Sequence, residues 1–339
     1  MNLFPRKSGN IIRERGISDN DVFVPGSIVE KKFSFLAANS LSGASVQELG
    51  HHAGYYSLPH TKAARYNFTK LASNLIYVDQ PTGTGFSYSS DDSDIRNDEV
   101  GVSNDLYDFL QAFFKQHPQF VNNDFYITGE SYAGHYIPAL ASRIHQANKQ
   151  KQGILINLKP LKVETSVCLL KCYVTKYSKY YDIRKKCEGS LCYDFSNAEK
   201  LLNEKTVKKA LGVSEDLEYV SCSTTVYEAM ERDFMANLEV GIPALLEDGI
   251  RFLAYVGEED LICNWLGNIR WVRAMEWSGQ KEFKEAPAVQ FKVNGEEAGS
   301  LSSHGPLTFL KVYKAGHLVP MDQPEAALDM LTRWMQGKL

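Results

Sequence analysis

The 339-residue sequence lacks any apolar run approaching the roughly 20 consecutive residues that a membrane-spanning helix requires. It also lacks a long basic stretch, and its formal net charge is -4 at pH 7, which argues against a nucleic-acid-binding protein. Residues 1–7 contain no hydrophobic signal region. These absences leave a globular protein that is long enough to bury a large core. We therefore predict one α/β domain with an insertion.

A serine between a predicted strand and a predicted helix is the most informative feature of the sequence. Residues 124–128 are aromatic and branched, which is typical of a strand, and residues 136–145 have a helical pattern. Ser131 lies between them, and the small residues Gly129 and Ala133 allow a sharp turn. The nucleophilic serine of α/β-hydrolases occupies such an elbow, where N–H groups of the helix start stabilise an oxyanion. The motif alone also fits a surface turn, but its flanking segments favour a catalytic serine.

Chain order narrows the choice of a histidine that could act as the base. In α/β-hydrolases the acid follows the serine and the histidine comes last. Of the eight histidines, His304 and His317 lie far enough beyond Ser131. His317 follows a predicted strand at 307–313 and precedes a predicted helix that opens at 322–324, which is where this fold places its base. His304 precedes that strand, and we predict that it lies in a solvated turn.

The acid should follow a strand between the serine and the histidine. Residues 251–256 form a nearly continuous apolar run, which is typical of a strand buried on both faces. Glu258, Glu259 and Asp260 come next, and Asp260 directly precedes the start of another predicted helix. Spacing alone does not choose among these three carboxylates.

Four segments resemble the signatures of the serine carboxypeptidases, the carboxypeptidase Y-like family, and within it the plant members. They are a strand and glycine-rich loop at 74–89, a serine signature at 129–138, an aspartate signature at 260–268 and a histidine signature at 316–324. Leu318 stands where the family more often has Met. The resemblance covers residues 21–66, 72–158 and 181–339. It implies an α/β-hydrolase fold with a mixed central sheet flanked by helices.

The resemblance also implies roles for individual residues. Ser131 would be the nucleophile, His317 the base and Asp260 the acid that orients the base, with no metal and no cofactor. Tyr132 would donate a backbone N–H to the oxyanion. Glu130 would bind the terminal carboxylate of a peptide substrate through a shared proton, which requires acidic pH. Cys263 would line the pocket for the leaving residue.

The chain departs from the family in two places. Between the counterparts of Tyr66 and Ala72 the family carries a long segment with a buried strand, the second oxyanion N–H and an Asn and a Glu for carboxylate recognition. Only residues 67–71 stand there in this chain. The stretch 159–180 does not resemble the family either. These gaps predict a partly lost insertion, a sheet without one central strand and a weakened active site.

Cysteine pairing and glycosylation also follow from the resemblance. Cys187 and Cys192 resemble a short family disulfide loop. Cys222 resembles half of a disulfide whose partner lies in the missing segment, so we expect it to be unpaired. A zinc site formed by these two paired cysteines with Cys168 and Cys172 is a weaker alternative because the spacing is loose. The sequence Asn67-Phe68-Thr69 is a glycosylation sequon at the first gap.

We predict three regions: a first part of the hydrolase core at 1–156, an insertion at 157–235 and a second part of the core at 236–339. The favoured function is a serine carboxypeptidase that acts on peptides or proteins with a free C-terminus, without nucleic-acid or membrane partners. Alternatives are a plant acyltransferase on the same fold and a catalytically impaired isoform. The resemblance implies a vacuolar or secreted glycoprotein, although the start of this chain has no signal region. The sequence does not predict an oligomeric state.

Overall fold

The computed structural model describes residues 28–33, 51–58, 63–70, 75–159, 161–164, 180–186 and 193–339. In chain order the strands are β1 (Ile28–Phe33), β2 (His51–Ser57), β3 (Ala63–Lys70), β4 (Leu75–Val78), β5 (Tyr88–Ser89), β6 (Thr128–Gly129), β7 (Leu161–Glu164), β8 (Phe252–Gly257), β9 (Val289–Val293), β10 (Glu296–His304) and β11 (Leu307–Val312). The helices are α1 (Glu99–Gln116), α2 (Ala133–Lys149), α3 (Ser196–Asn203), α4 (Lys205–Leu211), α5 (Thr224–Met230), α6 (Ile242–Glu247), α7 (Trp265–Ala274), α8 (Gln280–Glu285), α9 (Val319–Asp322) and α10 (Pro324–Met335). Within the described ranges, no helix combines the length and the apolar character needed to cross a bilayer.

The chain divides into two compact units. The first comprises Met1–Gln116 and Phe195–Glu231, and the second comprises His117–Asp194 and Arg232–Leu339. These limits differ from those of the three regions expected from the sequence, because part of the expected insertion belongs to each unit. The insertion at 157–235 therefore stays a prediction.

The first unit contains an antiparallel sheet in the order β1-β2-β3-β4, with β5 also paired to β3. Helix α1 packs against β2, where the Tyr56 and Phe109 rings meet edge-on at 5.1 Å between centroids. Among the described strands, β4 pairs with β3 alone. Leu75 and Tyr77 on β4 are 43% and 59% exposed. An edge strand with exposed apolar side chains is what the loss of a neighbouring strand predicts.

The second unit contains a six-stranded mixed sheet in the order β6-β7-β8-β11-β10-β9. The pairs from β6 to β11 are parallel, whereas β10 runs antiparallel to both β11 and β9. Parallel strands bring their carboxyl ends to the same edge of a sheet, so the loops that follow β6, β8 and β11 meet there. Those loops carry the three residues of the predicted triad.

Strand β8 lies at the centre of this unit and is buried along its whole length. Phe252, Ala254 and Val256 pack in a cluster with residues of α2, α6, α7 and α8. Leu253 and Tyr255 point to the opposite face and pack with residues of α9 and α10. Because helices cover both faces of the sheet, the side chains on both faces of β8 are buried and apolar. This explains the continuous hydrophobic sequence of the strand.

Candidate active site

Ser131 lies at a sharp turn between β6 and α2. Its φ of 58° is in the left-handed region, which a non-glycine residue adopts only where the surrounding structure holds it. A Cβ on Gly129 would lie 2.6 Å from the Cβ of Ala133, so the turn requires the smallest residue at that position. The helix after the turn is longer than the predicted 136–145 and begins at Ala133.

The strand before the turn is shorter than predicted. Only Thr128–Gly129 pair with β7, while Phe125 forms an isolated bridge with Leu158. The prediction of a strand over 124–128 is therefore wrong for most of its length. Residues with a high strand propensity form a strand only where a neighbouring strand offers backbone partners, and the short β7 offers few of them.

His317 lies in the loop between β11 and α9 and is 4% exposed. Its Nε2 atom is 2.7 Å from the Oγ atom of Ser131. His304, the alternative base, is the last residue of β10 rather than part of a turn, and its ring contacts that of Trp277 at 6.2 Å between centroids. The geometry thus places His317 against the serine.

Asp260 lies beyond the end of β8 with a fully buried side chain. Its Oδ2 atom is 2.8 Å from Nδ1 of His317, and its Oδ1 atom accepts the backbone N–H of Cys263 at 3.1 Å. Glu258 is instead paired with Lys311 at 3.1 Å. Asp260 is therefore the carboxylate that faces the histidine, and a hydroxyl, an imidazole and a buried carboxylate stand in series. Side chains in such a series can pass a proton from the hydroxyl to the imidazole.

Close backbone contact brings the loops of the acid and the histidine together. A Cβ on Gly257 would lie 2.1 Å from the carbonyl oxygen of Gly316. The backbone N–H of Glu259 donates to the carbonyl oxygen of Ala315 at 2.9 Å. Glycine at 257 thus allows the two loops to approach within hydrogen-bonding distance.

The side chain of Tyr132 is held from several sides. Its hydroxyl donates to Oδ2 of Asp233 at 2.8 Å, and Nδ1 of His135 lies 3.1 Å from the same oxygen. The Tyr132 ring stacks on His135 at 4.7 Å and meets Phe234 edge-on at 5.1 Å. His135 and Asp233 are 2% and 5% exposed. Sequence analysis missed Asp233, because a partner about a hundred residues away leaves no local pattern.

The structure describes some of the remaining predicted residues but not all of them. Glu130 is half-buried directly before Ser131, and Cys263 is buried three residues after Asp260. Cys222 is exposed and not in a disulfide. Asn67 lies in β3, where its backbone pairs with Gly54 and Val78. The predicted pair Cys187 and Cys192, and the alternative zinc ligands Cys168 and Cys172, lie outside the described residues.

One group of possible metal ligands occurs in the part of the chain that the structure describes. It consists of Asp260, Cys263 and His317, whose donor atoms lie within 4.8 Å of one another. The hydrogen bond between Asp260 and His317 already occupies one donor atom of each. The group is thus accounted for by the serine–histidine–aspartate arrangement.

Comparison with known proteins gives concordant matches. The serine carboxypeptidase family model matches residues 37–181 and 162–337. Serine carboxypeptidase-like 48 of Arabidopsis thaliana is 48% identical over 455 positions, which cover 100% of this chain and 88% of that protein. Serine carboxypeptidase 3 of Oryza sativa subsp. japonica is 46% identical with the same coverage. Among solved structures, the prohormone-processing carboxypeptidase Kex1 of Saccharomyces cerevisiae shares the fold, with a TM-score of 0.68 over 91% of each chain at 18% identity.

The comparisons also bear on the two gaps. The alignment with the Arabidopsis protein spans 455 positions, whereas this chain has 339 residues, so more than a hundred positions have no counterpart here. The two pieces of the family match overlap at residues 162–181, so the match includes the stretch 159–180, which the sequence analysis placed outside the resemblance. Both units nevertheless contain matched residues. The chain therefore belongs to the serine carboxypeptidase family, a family of peptidases, and has an α/β-hydrolase fold.

Proposed function

We propose that this protein is a serine carboxypeptidase that releases C-terminal residues from peptides and proteins through an acyl-enzyme. The observation that carries the proposal is the series of two hydrogen bonds, 2.7 Å from Ser131 to His317 and 2.8 Å from His317 to Asp260. Each bond is within the range expected of a nucleophile, its base and the orienting acid.

In the proposed mechanism, His317 takes the hydroxyl proton of Ser131 through Nε2 while Oγ attacks the scissile carbonyl carbon. Asp260 keeps the Nδ1 proton in place and stabilises the imidazolium that forms. The imidazolium then gives its proton to the leaving amine, and the C–N bond breaks to leave an acyl-serine. Water attacks that ester with His317 again as base, which releases the shortened peptide and restores the hydroxyl.

Two residues beside the serine would support this chemistry. The backbone N–H of Tyr132 follows Ser131 directly, at the start of α2, where N–H groups and the helix dipole favour a developing oxyanion. The hydrogen bond from the Tyr132 hydroxyl to Asp233 and the stacking of its ring on His135 support this role, because they restrain the residue that carries the N–H.

Substrate selection would rest on Glu130 and Cys263. Glu130 would share a proton with the terminal carboxylate of the peptide, so binding should require acidic pH, as in a vacuolar or secreted setting. Cys263 is buried and donates its backbone N–H to Asp260, and this closeness to the proposed triad supports a role in lining the pocket for the leaving residue.

An acyltransferase on the same fold is the second candidate. That branch of the family usually has Asp before the serine and Ser after the following Tyr, whereas this chain has Glu130 and Ala133. These two positions favour the peptidase. Supplying an alcohol with an activated acyl donor separates the candidates, because a transferase forms the ester whereas a peptidase forms mainly the free acid.

We also propose that turnover is weak in this chain. The segment that supplies the second oxyanion N–H in the family is absent between Tyr66 and Ala72. Removal of one such donor lowers turnover by about 10²–10³-fold. Hydrolysis of a blocked dipeptide at acidic pH should therefore be slower by about that factor than in the same chain with the family segment restored. Equal kcat/KM values would contradict this proposal.

A serine-directed fluorophosphonate probe tests the proposed nucleophile independently of turnover of the natural substrate. The probe should label the wild-type chain and Ser142→Ala, a control on helix α2, but not Ser131→Ala. Labelling should also weaken strongly in His317→Ala, because the hydroxyl then lacks its base. Labelling that survives Ser131→Ala would refute the assignment.

A further inference from the structure

Three consecutive backbone N–H groups around His317 are each held by a specific acceptor. The N–H of Gly316 donates to Oδ2 of Asp322 at 2.8 Å. The N–H of His317 donates to the carbonyl oxygen of Tyr181 at 2.7 Å. The N–H of Leu318 donates to the hydroxyl oxygen of Tyr193 at 3.2 Å. The position of the histidine backbone is therefore determined by groups outside its own loop as well as inside it.

The segment 180–186 connects the loop of the acid to the loop of the histidine. The carbonyl oxygen of Tyr180 accepts the N–H groups of Leu261 and Ile262 at 3.2 and 2.9 Å, directly after Asp260. The next carbonyl, that of Tyr181, accepts from His317. Adjacent residues of one segment thus bind the backbone that follows Asp260 and the backbone of His317.

The Tyr181 side chain also lies against the histidine. Its ring centroid is 4.5 Å from that of His317, with a 30° angle between the ring planes. A Cβ on Gly316 would lie 2.6 Å from the Tyr181 carbonyl oxygen and 2.8 Å from Cβ of Asp182. The segment is therefore packed directly on the backbone that carries the base.

Asp322 is the side chain on which these contacts converge. Asp322 is the last residue of α9, five positions after the histidine, and its side chain is 6% exposed. Its Oδ2 atom accepts from Gly316 and, at 3.2 Å, from the hydroxyl of Tyr193. Its Oδ1 atom accepts from Nζ of Lys185 at 2.6 Å, and Lys185 also lies 3.4 Å from Asp182. The carboxylate thus links the segment 180–186 to the loop of His317.

Tyr193 extends this link to the other side of the histidine. Burial raises the pKa of its phenol, so the hydroxyl remains protonated and can donate to Asp322 while it accepts from Leu318. Through one direct and one relayed bond, Asp322 therefore holds the N–H groups on both sides of His317.

We propose that Asp322 is a positioning residue for His317, acting directly on Gly316 and through Tyr193 on Leu318. This inference rests on the proposed function, because it explains these contacts by the role of His317 as the base. Asp322 has no contact with the reacting atoms in this arrangement. It keeps Nε2 within hydrogen-bonding distance of Ser131, where a misplacement of about 1 Å costs about 10²-fold in rate.

The test compares Asp322→Ala, Asp322→Asn and Tyr193→Phe with the control Asp329→Ala, which removes a partly exposed ion pair with Arg333 on α10. Asp322→Ala should lower kcat by about 10²-fold with little change in KM, because substrate binding does not depend on the base. Asp322→Asn retains an oxygen for the Gly316 N–H and should recover much of the lost kcat. Asp329→Ala should behave as wild type.

Amide hydrogen exchange provides a second measurement that needs no activity. Exchange at Gly316 and Leu318 should become faster in Asp322→Ala, and at Leu318 alone in Tyr193→Phe, while amides in α10 keep their wild-type rates. If Asp322→Ala leaves both amides protected, the positioning inference is wrong, whatever the activity. If the amides respond as expected but the wild-type chain is not labelled at Ser131, the proposed function fails and the structural link stands. Should Asp322→Ala not fold, Asp322→Asn and Tyr193→Phe decide the same question.

Discussion

Replacing Asp260 by asparagine should reduce turnover severely while leaving the fold intact. The Asp260 side chain is fully buried, with Oδ2 at 2.8 Å from Nδ1 of His317 and Oδ1 accepting the N–H of Cys263. Asparagine has nearly the same shape and can still accept from Cys263. Its amide group, however, carries no charge, and an N–H directed at Nδ1 would force the imidazole proton onto Nε2. His317 could then no longer accept the proton of Ser131.

The magnitude follows from the distance between the two groups. A carboxylate 2.8 Å from an imidazolium, at an effective dielectric constant of about 20, stabilises it by about 6 kcal/mol. At about 1.4 kcal/mol for each factor of ten, this loss corresponds to about 10⁴-fold in kcat. The same substitution in a serine protease triad costs about 10⁴-fold as well.

The measurement is kcat for a blocked dipeptide at acidic pH, with thermal unfolding recorded in parallel. Glu258→Gln is the matched control, because it neutralises a carboxylate two residues away that pairs with Lys311 rather than with the histidine. The control should retain wild-type kcat. If Asp260→Asn folds normally and loses less than about tenfold in kcat, Asp260 does not supply the charge that the triad argument requires.

Three further predictions concern other parts of the chain. Burial raises the pKa of Asp79 from 3.8 to about 6, so the folded state keeps a proton that the unfolded state releases. The free energy of unfolding should therefore fall by about 2 kcal/mol as pH rises from 4 to 7. In urea unfolding, the free energy of unfolding of Asp79→Asn should rise by that amount relative to wild type between pH 4 and pH 7. A difference between the two proteins that does not change with pH would contradict this prediction. Gly257→Ala should lose about 1–3 kcal/mol of stability and most of its activity, because the added Cβ would overlap the Gly316 carbonyl oxygen. An unchanged Tm would show that the loops of Asp260 and His317 can separate without cost. Peptide mapping after alkylation of the folded, non-reduced protein should find Cys222 modified and Cys263 protected, whereas a Cys222 disulfide would contradict the missing-segment hypothesis.

Local chemistry determined the features that the sequence alone could predict. The apolar run at 251–256 predicted a strand buried on both faces, and β8 is buried throughout. Small residues around Ser131 predicted the turn, which the structure contains with a left-handed φ at the serine. Hydrophobic period and turn chemistry depend on neighbours within a few positions, so they can be inferred without knowing the fold.

Contacts between distant residues were decided only by the tertiary structure. Spacing left Glu258, Glu259 and Asp260 as candidates, and the family resemblance selected Asp260 without a physical reason. That reason is the parallel pairing of β8 with β11, which brings Asp260 to within 2.8 Å of a histidine 57 residues later. Asp233, the partner of Tyr132, likewise has no signature in local sequence. Asp322 lies inside the histidine signature, but the sequence does not show that it binds Lys185 and Tyr193. Which buried polar groups meet depends on strand register and helix packing, and those follow from the balance of the whole core rather than from any single segment.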